Sequence, residues 1–260
     1  MRDPGVFNRY AQTYDRYRPG YPTAMYEEIR RYMGHCDGIK SLEIGMGTGQ
    51  ATGPFLEEGF WVTALEPGKD LAAVARKKFA AYPRLEIREN GFLEADLPEG
   101  SFGLLYAGTA FHWIDPERGY QRAYALLRPG GVIALFWNNP FLHREDDPLH
   151  NAIQAVYEQY YPVDPGRLVL QEQTLERREM LICQGFQEVE THLYDGERTF
   201  GVEEYLGLLS TYSDHGELLA NEGFVEGMRQ AFLQHGGTLT VYDTVDLHLG
   251  RKPEEKGILG

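Results

Sequence analysis

The sequence predicts an α/β fold, built on a mostly parallel sheet of seven strands with helices on both faces. Three observations lead to this prediction. Short apolar runs typical of strands alternate with helical patterns through the first half of the chain. A glycine-rich segment follows the first of these runs and opens a helix. A later stretch, 238–249, alternates polar and apolar residues, which indicates an antiparallel strand at the end of the sheet.

The strand candidates are apolar or alternating runs bounded by glycine, proline or charged residues. Their expected ranges are 39–44, 60–66, 85–89, 102–107, 132–137, 187–200 and 238–249. Helices are expected at 23–33, 52–58, 70–82, 116–127, 149–183 (with a loop at 162–166) and 202–235 (with a break at 213–216). A turn is expected at 128–131. The stretch 202–235 is then a helical insertion that precedes the last, antiparallel strand.

The chain begins with a predicted helical lead-in, residues 1–35. Four aromatic residues are spaced three, four and three apart and therefore share one helical face: Phe7, Tyr10, Tyr14 and Tyr17. Pro19 and Pro22 end this helix, since proline cannot continue it. Residues 36–137 form the predicted ligand-binding core, and residues 138–260 supply further helices and the last two strands. We expect one domain over 1–260, because no repeat or low-complexity linker interrupts the chain.

Composition excludes several classes of function. The formal net charge is −14, which disfavours a nucleic-acid partner. The two cysteines, Cys36 and Cys183, form no CxxC pair and belong to no cluster with zinc-ligand spacing, so no metal site is expected. No apolar run is long enough for a membrane span, and the first residues lack the apolar core of a signal peptide. These features predict a cytoplasmic protein without a membrane partner.

The segment Leu42–Gly49 carries the first chemical signal. Gly45, Gly47 and Gly49 follow a strand in a G-x-G-x-G pattern, which allows a tight turn and close approach of a ligand to bare backbone. Glu66 ends the second strand and is followed by Pro67. A carboxylate at that position can accept two hydrogen bonds from a ribose diol, as happens with both nicotinamide and adenosyl cofactors.

Two further loops follow strands at the same edge of the predicted sheet. After the third strand, Phe92, Leu93 and Glu94 offer an apolar slot and an acceptor, which an adenine requires. After the fourth, Ala107 and Gly108 are small enough to let a ligand pack closely. We expect His112 and Trp113 to project towards the reacting end of that ligand.

Five motifs occur in order: Tyr14–Pro22 (YDRYRPGYP), Leu42–Gly49, Glu66-Pro67, Ala110–Asp115 (AFHWID) and Leu127–Gly131 (LRPGG). Together they resemble the class I S-adenosylmethionine-dependent methyltransferases, in the small-molecule, methyltransferase type 11-like branch, over residues 7–137. The resemblance implies a Rossmann-like fold and S-adenosylmethionine as the cofactor. The family often has Ser-Phe-Asp at the start of the fourth strand, where this chain has Ser101-Phe102-Gly103. We expect this departure to be tolerated, because it removes a carboxylate from the sheet and not from the ligand crevice.

The resemblance also implies roles for individual residues. The methionine end of the cofactor would be held by Glu43 and by the backbone of Gly45, Gly47 and Gly49. The ribose would be held by Glu66, with Pro67 after it. Leu93 and Glu94 would flank the adenine, and Ala107 and Gly108 would back the sulfonium. Tyr14 and Arg18 look like a lid over the cofactor, with Arg18 suited to its carboxylate.

Methyl transfer from a sulfonium is an in-line displacement, so the enzyme mainly aligns the reactants and excludes water. A base is needed only for a nucleophile that keeps its proton at neutral pH, and His112 is the catalytic candidate for that role. Four residues are candidates for the acceptor pocket: Trp137, Tyr205, Tyr212 and His215. The acceptor is expected to be a small molecule that the sequence does not identify. Two alternatives stay open: a non-catalytic S-adenosylmethionine- or adenosine-binding module, and a nicotinamide-dependent oxidoreductase.

Overall fold

A computed structural model describes residues 11–141, 146–161 and 170–254 of the chain. The predictions for Phe7, Tyr10 and the loop at 162–166 lie outside these residues.

The seven strands are β1 (Lys40–Ile44), β2 (Trp61–Leu65), β3 (Leu85–Arg88), β4 (Phe102–Gly108), β5 (Leu127–Phe141), β6 (Gln187–Phe200) and β7 (Leu239–Arg251). The helices are α1 (Ala11–Tyr17), α2 (Thr23–Met33), α3 (Thr52–Glu57), α4 (Lys69–Lys78), α5 (Pro116–Leu126), α6 (Pro148–Tyr160), α7 (Leu170–Cys183), α8 (Val202–Leu209), α9 (Gly216–Leu219) and α10 (Glu222–Gln234). A single 3₁₀ turn, Phe111–Trp113, follows β4.

The strands form one sheet in the order β3-β2-β1-β4-β5-β7-β6. The first five strands are parallel, and Leu42 of β1 pairs with Thr63 of β2 and Leu105 of β4. At the start of β5, Gly130 N–H donates to the Lys252 carbonyl beyond the end of β7, and Lys252 N–H donates back to Gly131. The start of one strand therefore meets the end of the other, so β7 runs antiparallel to β5. The predicted fold class is confirmed.

Two predicted boundaries were wrong for identifiable reasons. The turn predicted at 128–131 is part of β5: Phe102 pairs with Leu127 and Leu104 already with Val132, so these residues bulge within the strand. Helix α4 ends at Lys78, before the predicted end at Tyr82. Phe79 leaves the helix and its ring packs against the backbone of Gly49. Both departures come from contacts between residues distant in sequence, which local patterns do not encode.

The described residues group into two compact units, one of which contains β1 to β4 and parts of the last three strands and is called the sheet unit here. This sheet unit comprises the described residues within 20–138, 169–194 and 245–260. In it, β4 alternates between two cores, with Leu104 and Tyr106 on one face and Leu105 and Ala107 on the other. Helices α2 and α3 contribute to the first core, and α5 and α7 to the second. Helices thus cover both faces of the sheet, as the sequence predicts.

The helical unit comprises the described residues within 1–19, 139–168 and 195–244. Its core is formed by apolar side chains of α6, α8 and α10, among them Tyr205, Phe224 and Phe232. Asn221 caps α10, since its side-chain oxygen accepts hydrogen bonds from the Gly223 and Phe224 N–H groups. The prediction that the whole chain folds as one domain remains a prediction. Of the helices in the described ranges, none has the length and apolar character needed to cross a bilayer.

Candidate functional site

The glycine-rich loop after β1 has a backbone that only glycine adopts without strain. Gly45, Gly47 and Gly49 have φ values of 66°, 61° and 88°. A Cβ placed on Gly45 would lie 2.5 Å from the Ala110 Cβ, so the segment after β4 packs directly on this loop. The three glycines therefore let the loop turn sharply at the carboxyl end of β1, where parallel sheets bind their ligands.

Glu66 joins this loop to the turn after β2. Its Oε2 accepts a hydrogen bond of 2.7 Å from Gly47 N–H, and its Oε1 accepts one of 2.8 Å from Gly68 N–H. The side chain is only 6% exposed, and this burial raises the pKa of Glu66 against the opposing effect of the two backbone donors. The carboxylate is thus held in a fixed position beside the glycine loop.

Glu43, on β1, lies deeper in the same region. Its Oε2 accepts hydrogen bonds from the Thr52 hydroxyl at 2.8 Å and the Tyr106 hydroxyl at 3.0 Å. Burial raises the pKa of Glu43 to about 8, the two hydrogen bonds oppose the rise, and the charge of Glu66 adds to it. Near neutral pH, Glu43 is therefore largely protonated in the free protein.

The loops after β2 and β3 leave their predicted ligand residues accessible. Pro67 and Glu94 are exposed, and Leu93 is partly buried against the second core. A Cβ on Gly91 would lie 2.3 Å from Glu94 Oε2, which shows that the glutamate folds back over the start of its own loop. An apolar side chain and a carboxylate thus stand together after β3, and their role in binding an adenine stays a prediction.

The segment after β4 contains a polar group that the sequence patterns did not single out. Thr109 has a φ of 52°, a strained value for a β-branched residue. Its hydroxyl lies 3.0 Å from the Tyr21 hydroxyl and accepts a 3.2 Å hydrogen bond from Asn138 N–H. Tyr21 also covers the preceding residue, since a Cβ on Gly108 would lie 2.7 Å from its hydroxyl oxygen. Among the described residues, the buried Oδ1 of Asn138 has no hydrogen-bond partner.

His112 lies in the 3₁₀ turn that follows, with its side chain exposed. Its Nδ1 accepts a hydrogen bond of 3.1 Å from Nε1 of Trp137, at the end of the parallel part of β5. Trp137 itself is buried. The structure therefore brings together the predicted catalytic residue and one of the predicted acceptor residues, with the indole supporting the imidazole.

The remaining predicted site residues lie together in the helical unit. The Arg18 guanidinium carbon is 4.5 Å from the ring centre of Tyr212 and 5.3 Å from that of Tyr14, and Nη2 donates to the Thr211 carbonyl at 2.7 Å. The Nε of Arg18 is buried and has no partner in the described part of the chain. The ring centres of Tyr212 and His215 are 5.3 Å apart.

His215 belongs to a hydrogen-bonded group that sequence reasoning missed. Its Nδ1 lies 2.8 Å from Asp214 Oδ1, and its Nε2 lies 3.1 Å from the Tyr157 hydroxyl. The bonds from His215 and from Tyr161 hold the pKa of Asp214 well below its usual range. Tyr205, the other predicted acceptor residue, is almost fully buried, and this burial raises its pKa strongly. The adjacent aspartate and histidine at 214 and 215 were the only sequence signal for this group.

In the described ranges, one group has the spacing of metal ligands: Glu28, Glu190 and His192. The Arg31 guanidinium donates to both of its carboxylates, at 2.6 Å in each case. The positive charge of Arg31 balances the two carboxylates, so the group is an ordinary ion-pair network at the surface.

Comparison with known proteins gives a consistent result. Residues 42–135 match a family model described as a methyltransferase domain. An uncharacterized methyltransferase of Mycobacterium tuberculosis is 32% identical over 125 residues, which cover 48% of this chain and 49% of that protein. An uncharacterized methyltransferase of Bacillus cytotoxicus is 30% identical over 166 residues, covering 60% of this chain and 76% of that one. The chain thus spans about half the length of the mycobacterial relative and three quarters of the other.

Solved structures agree on the fold. A protein from Anaeromyxobacter dehalogenans described as a type II methyltransferase superposes with a TM-score of 0.64 and 23% identity, over 92% of this chain and 99% of that one. A second match is phosphoethanolamine N-methyltransferase 2 of Haemonchus contortus, in complex with phosphomonomethylethanolamine and S-adenosylhomocysteine. It superposes with a TM-score of 0.56 and 17% identity, over 95% of this chain and 58% of that one.

Proposed function

Because this chain belongs to the class I S-adenosylmethionine-dependent methyltransferase family, we propose that it is an enzyme that transfers the methyl group of S-adenosylmethionine to a small-molecule acceptor. The family supports the cofactor and the reaction type. The geometry of the sheet unit supports the position of the cofactor. The residues after β4 are proposed to contact the acceptor.

The position of the Glu66 carboxylate is the observation that carries the proposal. Each of its oxygens accepts one backbone hydrogen bond, from Gly47 or Gly68, and so keeps a lone pair for a further donor. A ribose presents two neighbouring hydroxyls, which match the two oxygens of a fixed carboxylate. The two acceptor oxygens of Glu66 therefore fit the ribose of an adenosyl cofactor. The bare backbone of Gly45 and Gly49 fits its methionine end, and Leu93 with Glu94 fits its adenine.

When bound, S-adenosylmethionine supplies a methyl group on a positively charged sulfur, which is a good leaving group. The chain must then align the acceptor with the methyl and exclude water. Ala107 and Gly108 would allow close approach to the sulfonium, and Tyr21 covers Gly108. His112 is the residue proposed to contact the acceptor, because its exposed ring follows directly on this segment.

Three residues of the helical unit stay in the proposal as acceptor residues. Tyr205, Tyr212 and His215 share one aromatic cluster, which suits an organic acceptor. Tyr14 and Arg18 are proposed as a lid, and the unpartnered Nε of Arg18 leaves a donor for a carboxylate.

We include a cytoplasmic location and the lack of a nucleic-acid partner in the proposal. The net charge of −14 supports the second point, since it repels phosphate backbones. Cys36 and Cys183 are both free, as suits a reducing compartment.

Isothermal titration of the purified chain with S-adenosylmethionine, S-adenosylhomocysteine and NAD tests the cofactor. We expect saturable binding of both adenosyl ligands and none of NAD. Saturable NAD binding without a response to either adenosyl ligand would overturn the proposal. An acceptor screen scored by release of S-adenosylhomocysteine then tests turnover, and it separates an enzyme from a module that only binds the cofactor.

A further inference from the structure

The hydrogen bond between Trp137 and His112 determines which ring nitrogen of the histidine carries the proton. An indole N–H can only donate, so the Nδ1 that receives it at 3.1 Å must offer a lone pair. In neutral imidazole one nitrogen is bare and the other is protonated. The proton of neutral His112 therefore sits on Nε2.

Trp137 is held so that it keeps this hydrogen bond. The Arg177 guanidinium carbon lies 3.9 Å from the centre of the indole ring, a close cation–aromatic approach. Arg177 in turn donates from Nη1 to Asp246 Oδ2 at 2.5 Å, and Asp246 is fully buried. The His248 imidazole also bonds to Asp246 and meets the edge of the indole, with ring centres 6.0 Å apart.

This support makes the opposite tautomer of His112 unfavourable. A histidine that accepts a proton at Nε2 must carry its own proton on Nδ1. That N–H would face the indole N–H of Trp137, so the hydrogen bond from the indole to Nδ1 would be lost and two donors would point at each other. An indole fixed by Arg177 and packed among core residues cannot rotate away to relieve this.

We propose that His112 acts as an Nε2–H hydrogen-bond donor to the methyl acceptor and not as a base, and that Trp137 is its positioning residue. This inference rests on the proposed function and narrows its substrate class. The acceptor atom must already be free of its proton at neutral pH, and a carboxylate oxygen meets this condition. In the reaction, a lone pair of the carboxylate oxygen forms the new O–CH₃ bond. The S–CH₃ bond breaks, its electron pair remains on sulfur, and no proton moves.

Nitrogen-15 NMR of the histidine rings in the complex with S-adenosylhomocysteine tests the tautomer directly. The His112 signals are assigned by their loss in His112→Gln. We expect a protonated Nε2 and a bare Nδ1 in the native chain at neutral pH. Trp137→Phe should remove this preference, and Trp61→Phe, the same change at a half-exposed site on β2, should leave it intact. A proton found on Nδ1 of His112 in the native chain overturns the proposal.

Kinetics separate a donor from a base. The probes are aryl and alkyl carboxylic acids paired with the phenols and alcohols of the same carbon skeleton. Glutamine places an N–H close to the position of histidine Nε2, so His112→Gln should keep kcat within about tenfold of native, while His112→Ala and His112→Glu lose more. Trp137→Phe should lower kcat about tenfold with little change in KM.

Two kinetic results would contradict the inference. One is turnover of phenols or alcohols but not of carboxylates. The other is a rate that rises with pH in the native enzyme and is lost equally in His112→Gln and His112→Ala. Failure of the proposed function looks different, because it appears as absence of S-adenosylhomocysteine binding in the titration, before His112 is changed.

Discussion

Replacing Glu43 with glutamine should stabilise the free protein, and the gain should grow with pH. Burial raises the pKa of Glu43 from 4.5 to about 8, so the folded state favours the protonated carboxyl. The stability that this proton contributes is fully present below the ordinary pKa and is lost as the pH rises towards the folded one. Between these two pKa values Glu43 ionises freely in the unfolded chain, whereas in the folded chain it keeps its proton.

The size of the effect follows from the two pKa values. A difference of about 3.5 units corresponds to roughly 5 kcal/mol above pH 9, and to about 3 kcal/mol at pH 7. Glutamine removes this cost, because its amide does not ionise. Its oxygen can still accept from the hydroxyls of Thr52 and Tyr106, since both now bond to the same carboxyl oxygen. Any cost of placing the new NH₂ group is independent of pH.

Urea unfolding of the ligand-free protein between pH 5 and pH 8 measures this prediction. The difference in unfolding free energy between Glu43→Gln and native should widen by about 2–3 kcal/mol from pH 5 to pH 7. Ile87→Val, on β3, changes no ionisable group, so it is the control and should show a constant difference. If the Glu43→Gln and native curves run parallel, then Glu43 is ionised in the folded state and the reasoning from burial fails.

Three further results are expected. Glu66→Ala should weaken S-adenosylhomocysteine binding by ~1.5–3 kcal/mol in a titration, the scale of lost hydrogen bonds to a charged group; a folded variant with native affinity would show that Glu66 serves only the loop. Gly45→Ala should lower the unfolding free energy by ~2–3 kcal/mol, through backbone strain and a steric clash. Gly34→Ala, which has strain but open space around it, should lose only about 1 kcal/mol, and equal losses would argue against the clash. Amide hydrogen exchange over residues 11–22 should slow when S-adenosylhomocysteine binds, as for a lid; equal exchange in both states would remove Tyr14 and Arg18 from the site.

The parts of the fold that depend on local pattern could be predicted from the sequence. The alternation of strands and helices, the glycine turn after β1 and the acid at the end of β2 are each encoded within a few residues. The bulge at 128–131 is not, because it results from the pairing of β5 with both β4 and β7. A proline and two glycines are typical of a turn, and only the neighbouring strands decide between turn and bulge.

The candidate site also contains residues that local pattern predicts and contacts that only the fold creates. Gly45, Gly47 and Glu66 are predicted from their places at the ends of β1 and β2 and from the family resemblance, and their geometry in the structure suits the expected ligand. Arg18 bonds to Thr211, 193 residues further along, and no local pattern predicts such a contact. Trp137 is predicted to line the acceptor pocket as one of four aromatic candidates, and that role stays a prediction. The structure adds a hydrogen bond from its indole N–H to His112, which depends on the orientation of a single side chain.

Thr109 has a consequence for attempts to engineer this protein. A substitution scan based on backbone conformation alone would favour glycine at this position, since its φ of 52° costs a threonine energy that glycine does not lose. Yet glycine would also delete the hydroxyl that joins Tyr21 to the end of β5. Relief of backbone strain and loss of two hydrogen bonds therefore act in opposite directions at Thr109. A ranking by heat resistance does not report whether the region where the acceptor is proposed to bind keeps its structure, so Thr109 is best held constant in any such selection.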